Sequence, residues 1–246
     1  MIPNPIRKVL SSMSAHHVRA LLMGGQACVF YGAAQFSRDT DFAILADAAN
    51  ATRLRRALAD LRAKPIAVPP FEIKYLRRGH AVPFRCQHPE AFRMRVDVMS
   101  RMRGVEPFDK LWRRRTVIEL PDGPICALLS LPDLVQAKKT QRDKDWPMIR
   151  LLMEGHYFEH RKDSSLERQK FWLLELRTPS LLIKLARIYP SLCRQLTPKR
   201  PLLAHAVSGE QMQLERALLA EETVERERDK IYWQPLRREL EKLRHQ

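Results

Sequence analysis

Apolar and polar positions change period three times along the chain. Ile6 to Met13 repeats at helical spacing and ends in the polar turn Ser14-Ala15-His16-His17. Val18 to Met23 is an apolar run that predicts a strand and stops at Gly24-Gly25. Gln26 to Tyr31 returns to helical spacing, with Gly32 as its stop. Asp39 to Leu45 alternates as a second strand. Asp39 and Asp41 then share one face, and Thr40, Phe42 and Ile44 share the other. Asn50 is a good N-cap for a helix over residues 51–62, whose apolar stripe is Leu54, Leu58 and Leu61. A proline-bearing loop, 64–70, leads to a predicted strand at 71–76, a turn at 77–80 and another strand at 81–86. Pro83 places that strand at an edge or a bulge. Arg93 to Met99 alternates clearly, with Met94, Val96 and Val98 on one face and Arg93, Arg95, Asp97 and Met99 on the other. Two short strands, 116–120 and 125–128, flank the turn Pro121-Asp122-Gly123-Pro124.

At Ser130 the period becomes helical and stays so. Ser130 is a candidate N-cap and Pro132 lies in the first turn. Leu134, Val135, Ile149, Leu151 and Leu152 anchor one long predicted helix. On it Lys138 and Arg142 stand one turn apart, and Asp145 returns near the same face. Residues 161–246 read as helices divided by Pro179, Pro190, Pro198 and Pro201, with a charged helix over 210–230 and leucines at 236, 240 and 243. The expected class is α+β. A small mixed sheet with flanking helices occupies residues 1–129, and an all-α region follows over 130–246.

Composition narrows the partners. The chain has 246 residues, 45% of them hydrophobic, enough for a core. Lys and Arg number 44 against 28 Asp and Glu, a net charge of +16. That excess favours a polyanion, nucleic acid first and an acidic membrane surface second, although a basic surface can also serve solubility alone. Residues 101–115 concentrate it around Trp112, a pattern that suits a phosphate backbone with base stacking or a plain solvated face. The cysteines 28, 86, 126 and 193 lack metal-ligand spacing and read as buried, reduced thiols of a cytoplasmic protein. The N-terminus has no apolar signal core, and no run of about 18 apolar residues predicts a membrane helix.

The candidate chemistry sits around the second strand. Two carboxylates on one strand face repel unless a cation lies between them. Mg²⁺ takes oxygen ligands and leaves room for substrate phosphates. The double glycine before a helix lets backbone N–H groups approach a phosphate closely. Asp97, an acid inside an apolar strand, needs a partner, either a metal or Arg95 on its own face.

An apolar strand, Gly24-Gly25, a short helix and then Asp39-x-Asp41 on the next strand resembles the nucleotidyltransferase superfamily, the DNA polymerase β-like fold. Gly-Gly in place of Gly-Ser looks like its minimal members, including abortive-infection (AbiEii-like) toxins and some aminoglycoside nucleotidyltransferases. The helix carrying Lys138, Arg142 and Asp145 is similar to the basic helix that follows the catalytic core there. The resemblance spans about residues 18–152. It implies a transferase that moves a nucleoside monophosphate from a nucleoside triphosphate to an acceptor and releases pyrophosphate. Asp39, Asp41 and Asp97 would hold one or two Mg²⁺, with Asp97 also the general base. Gly24, Gly25 and Ser37 would hold triphosphate oxygens, and Lys138 and Arg142 would balance their charge. The toxin-like branch implies an RNA or tRNA acceptor and an antitoxin partner. A small-molecule acceptor of the aminoglycoside kind, or a non-catalytic nucleic-acid or partner-binding protein on the same scaffold, are the competing readings.

Overall fold

The computed structural model describes residues 4–120 and 123–245. Pro121 and Asp122, half of the turn read between the last two strands, lie outside them. Among the described residues seven strands form one mixed sheet: β1 Ala20–Met23, β2 Asp39–Ile44, β3 Lys64–Pro65, β4 Val82–Arg85, β5 Arg95–Met99, β6 Thr116–Glu119 and β7 Ile125–Leu128. Their order is β3-β4-β5-β2-β1-β7-β6. β2 lies at the centre, antiparallel to β1 and parallel to β5. β1 also runs parallel to β7. With its many helices the chain is of the α+β class.

The sheet interior is aliphatic, as strands buried on both faces require. Leu21, Leu22, Ile44, Val96 and Val98 are fully buried. The helix Ala48–Asp60 lays Leu54, Ala57 and Leu58 into this core. Its N-cap is Asp47, whose carboxylate accepts from the Asn50 N–H at 2.6 Å, and not Asn50 as the sequence predicts. Asn50 is instead a buried cross-link. Its amide accepts from the Arg19 N–H at 2.7 Å and donates to the carbonyls of Arg19 and Leu45. The start of β1 and the end of β2 are thereby tied together.

Residues 71–76 are not a strand. The helix Ile73–Arg78 takes their place, ended by Gly79 at φ +108°. So short an apolar run has no period that separates helix from strand, and the left-handed glycine stop decides it. Pro83 is in β4, which lies between β3 and β5 and not at the edge expected; its carbonyl accepts from the Ile66 N–H at 3.0 Å, and its missing N–H leaves the return bond unmade just where the two-residue β3 ends. All four cysteines are buried, and burial pushes the Cys86 and Cys126 thiols up to about 11.

The described residues divide into two compact units. One runs up to Ala137 and takes in the residues from Tyr232 onward; the other is Lys138–Ile231. The division read from sequence falls earlier, between 129 and 130, and does not anticipate the return of the C-terminus. In the first unit that return is fixed by Glu239, which accepts from buried His80 Nε2 at 2.9 Å and from Arg78. The helix Gln211–Arg244, one element where the sequence reading has two, supplies Glu239 and the buried Leu236.

The single helix expected from Ser130 to Leu152 is two helices, Leu131–Ala137 and Asp145–His160. Pro147 fits only the first turn of a helix, and so the second one starts there. Within the second unit the intervening backbone is satisfied from outside: Trp146 Nε1 donates to the Thr140 carbonyl and Asp229 accepts from the Gln141 N–H. The core of this unit centres on Trp172, Leu173, Leu182 and Leu185. Among the described residues no helix is long and apolar enough to cross a membrane.

Candidate metal and nucleotide site

β2 and β5 run parallel with Asp39 opposite Arg95 and Asp41 opposite Asp97. Directly paired residues on neighbouring strands point to the same side, and adjacent strands lie about 4.8 Å apart. The alternation of each strand therefore puts Asp39, Asp41, Arg95 and Asp97 on one face. Three of these are the acids that the sequence singles out. They meet because the register of β2 on β5 aligns Asp41 with Asp97, and that register also buries Thr40, Phe42, Val96 and Val98 on the other side.

Gly24 and Gly25 open the helix Gly24–Phe30 rather than precede it. Gly24 has φ +67°, and a Cβ there would lie 1.8 Å from Asp41 Oδ2. A Cβ on Gly25 would lie 2.7 Å from Ser37 Oγ. No larger residue fits at the first position without displacing the carboxylate, and its backbone conformation favours glycine independently. Ser37 is fixed by its own hydroxyl, which donates to the Asp39 carbonyl at 2.9 Å. The glycine pair, Ser37, Asp39 and Asp41 are thus one continuous surface. Gln26, the next residue along, is buried with its Oε1 lacking a donor.

Arg95 supplies positive charge to this face. Its Nε donates to Asp97 Oδ1 at 2.8 Å, and the fields of Asp97, Asp39 and Asp41 all help hold its charge. The Asp97 carboxyl is nonetheless raised above its ordinary value. Burial is the main cause; Arg95 pulls it part of the way back, and the charge of Asp39 raises it again. An acid with a raised value beside other acids is the kind of group that serves as a general base or a metal ligand. Both sequence readings of Asp97 therefore describe it in part, since it is beside the acids and paired with Arg95.

Lys138 and Arg142 are placed differently from the expectation. Neither is on a helix face, because the chain between 137 and 145 is not helical. Lys138 is 5% exposed and its Nζ donates to Asp145 Oδ1 at 2.9 Å. Arg142 Nε donates to Asp145 Oδ2 at 2.7 Å, and the Thr140 hydroxyl donates to the same oxygen at 2.5 Å. Burial alone would push the Asp145 carboxyl up; the Lys138 charge, Thr140 and Arg142 more than offset it and hold it below the ordinary range. The spacing of lysine, arginine and aspartate seen in the sequence is that of a buried charge cluster.

The basic run 101–115 is also partly consumed. Arg114 donates to Asp133 through Nε at 2.7 Å and through Nη2 at 2.6 Å, and it also bonds Glu106. Arg113 is exposed, while Arg115 stacks on Trp112.

The donor set suits a hard divalent cation, being all carboxylate, with a close-packed glycine pair beside it. Among the described residues no three His, Cys, Asp or Glu side chains form a ready-made ligand group. The acids share a face by strand register, and Arg95 is the cation among them. No protein-family model matches the chain, and no curated protein matches it.

Proposed function

We propose that the chain is a metal-dependent nucleotidyltransferase on a DNA polymerase β-like scaffold, with an all-α region following the catalytic one. The observation that carries this reading is the pairing of Asp41 with Asp97 across parallel strands, with Asp39 on the same face and Gly24 backed onto Asp41. Asp39, Asp41 and Asp97 would hold Mg²⁺, as one ion or two. The metal would neutralise triphosphate charge and acidify the attacking hydroxyl. Gly24 and Gly25, with Asp41 and Ser37 packed against them, would offer backbone N–H groups to phosphate oxygens, and Ser37 holds the loop that leads into β2. Asp97, with its raised carboxyl, accepts the proton of the acceptor hydroxyl. Phosphoryl transfer asks for positioning and charge more than covalent help, and these residues supply both.

Lys138 and Arg142, to which the resemblance gives a triphosphate role, are bonded to Asp145 and are left out of the site in this reading. The acceptor is RNA, with tRNA first, on the strength of the +16 charge and the exposed arginines. The same features support a member of the toxin-like branch, acting in the cytoplasm and held by an antitoxin protein. An aminoglycoside-type acceptor fits less well, because a cationic substrate calls for an acid-lined cleft.

The Arg95–Asp97 pair favours one second reading. A cation built into the acidic face would let the scaffold persist without metal, as a non-catalytic binder of nucleic acid or protein. Incubation with Mg²⁺ and labelled nucleoside triphosphates separates the two. The transferase reading expects label on RNA and free pyrophosphate; the binding reading expects neither.

A further inference from the structure

A cavity borders strands β1, β2, β6 and β7. Its volume is about 350 Å³, inside the range of small-ligand sites. Its floor is Ala20 of β1 and Phe42 of β2. Asp39, Asp41 and Asp97 are not among its lining residues, and Phe42 lies on the face of β2 away from them. The apolar wall continues onto β7 and β6, whose Ile125 and Val117 are 63% and 50% exposed at its rim.

Its polar groups are of one sign. Arg19 and Arg115 both line it, and both guanidinium groups lie over the Trp112 ring, at 5.1 and 4.3 Å from its centre. Trp112 in turn stacks on Phe108 at 5.6 Å. Neither cation is quenched. Arg19 has only the exposed Asp109 carboxylate, at 3.9 Å. The recorded partner of Arg115 is a carbonyl oxygen, that of Trp112. Among the described residues no acid lines the cavity. Stacking on an aromatic face fixes a guanidinium in orientation while leaving several of its N–H groups for an anion.

We infer that this cavity binds a small amphipathic anion, with a flat apolar body against Phe42 and Ala20 and a carboxylate or sulfonate head between Arg19 and Arg115. A neutral hydrophobe would leave Arg115 without a counter-charge and Arg19 with only the exposed Asp109. An inorganic anion would leave the apolar wall uncovered. A molecule that is both matches the two halves of the lining, and the site stands whether or not the acidic face is catalytic.

The test uses the full chain and 8-anilinonaphthalene-1-sulfonate, which has this chemistry. Fluorescence titration should show one saturable site per chain. Arg19→Gln and Arg115→Gln should each weaken it about tenfold, the scale of one lost charge-assisted hydrogen bond. Arg113→Gln removes the same charge from an exposed position outside the cavity and should leave affinity unchanged. Ile125→Glu, at an exposed rim position where folding is not at stake, should also weaken binding. The uncharged analogue N-phenyl-1-naphthylamine should bind more weakly than the sulfonate. Equal losses in Arg113→Gln and the two cavity variants would reduce the binding to net charge and overturn the inference. So would binding that never saturates, or an Ile125→Glu variant with unaltered affinity.

Discussion

Gly24 is built against Asp41. A single carbon added to the glycine would lie 1.8 Å from the carboxylate oxygen, and the backbone there has φ +67°. The position of the acid and the absence of a side chain are one feature. Gly24→Ala should therefore lower stability by about 2 kcal/mol, from left-handed strain with the clash added. It should also move Asp41 and abolish transfer. Chemical denaturation and the transfer assay read the two effects. Parent-like values in both would make the close approach incidental.

Arg95 holds a place that a metal would otherwise compete for. Arg95→Gln keeps a polar side chain and removes its charge, so divalent metal should bind the protein more tightly, by a few-fold at least. Mn²⁺ titration followed by electron paramagnetic resonance measures this without any turnover. Weaker Mn²⁺ binding would show that Arg95 organises the carboxylates for metal instead of standing in for it.

The account of Lys138 changes most between sequence and structure. Lys138→Met leaves Asp145 buried with only Thr140 and Arg142, and should cost about 3 kcal/mol in urea unfolding. Adding Asp145→Leu should recover most of it, since a buried pair replaced by apolar groups is often neutral. A single variant that unfolds like the parent but loses nucleotide affinity would return Lys138 to the triphosphate role.

His156 gives a pH signature. Burial, and then the charges of His160 and Arg168, push it down to about 4, against 6.5 for an exposed histidine. Its Nδ1 accepts from Trp172 Nε1 at 2.9 Å, a bond that the protonated ring cannot make. Between about 4 and 6.5 the unfolded chain binds the proton more readily than the folded one, so stability rises with pH across that window and this contribution is complete above 6.5. Urea midpoints at pH 5 and pH 7 should differ in the parent and differ less in His156→Gln. An equal difference in both would assign the pH dependence to other groups.

What the sequence displays, and what it hides, follow from the range of the interactions. Alternation over 39–45 and 93–99 is local, so β2, β5 and the shared face of Asp39 and Asp41 are legible. Only the register of β2 on β5 aligns Asp97 with Asp41, and that is fixed by partners more than fifty residues away. Seven-residue spacing places Lys138 near Asp145 either on a helix face or in a folded-back turn, and Pro147 is the local sign that favours the turn. The strand expected at 71–76 fails for want of length, with Gly79 the one residue that signals a helix end. The pairing of Glu239 with His80 joins residues at opposite ends of the chain and has no local signal at all.

The central claim is that the acidic face of β2 and β5 performs nucleotidyl transfer, and one measurement addresses it directly. Total RNA is incubated with α-labelled nucleoside triphosphates and Mg²⁺, and both labelled RNA and pyrophosphate are quantified for the parent and for Asp39→Asn, Asp41→Asn and Asp97→Asn. The account predicts label and pyrophosphate in equal amounts from the parent. It predicts a loss of at least about a hundredfold in each variant, the scale of removing a general base or a metal ligand, with melting of Asp39→Asn no lower than the parent's because like-charge repulsion is relieved. Undiminished transfer by all three variants, or none by the parent with any nucleotide, would contradict it.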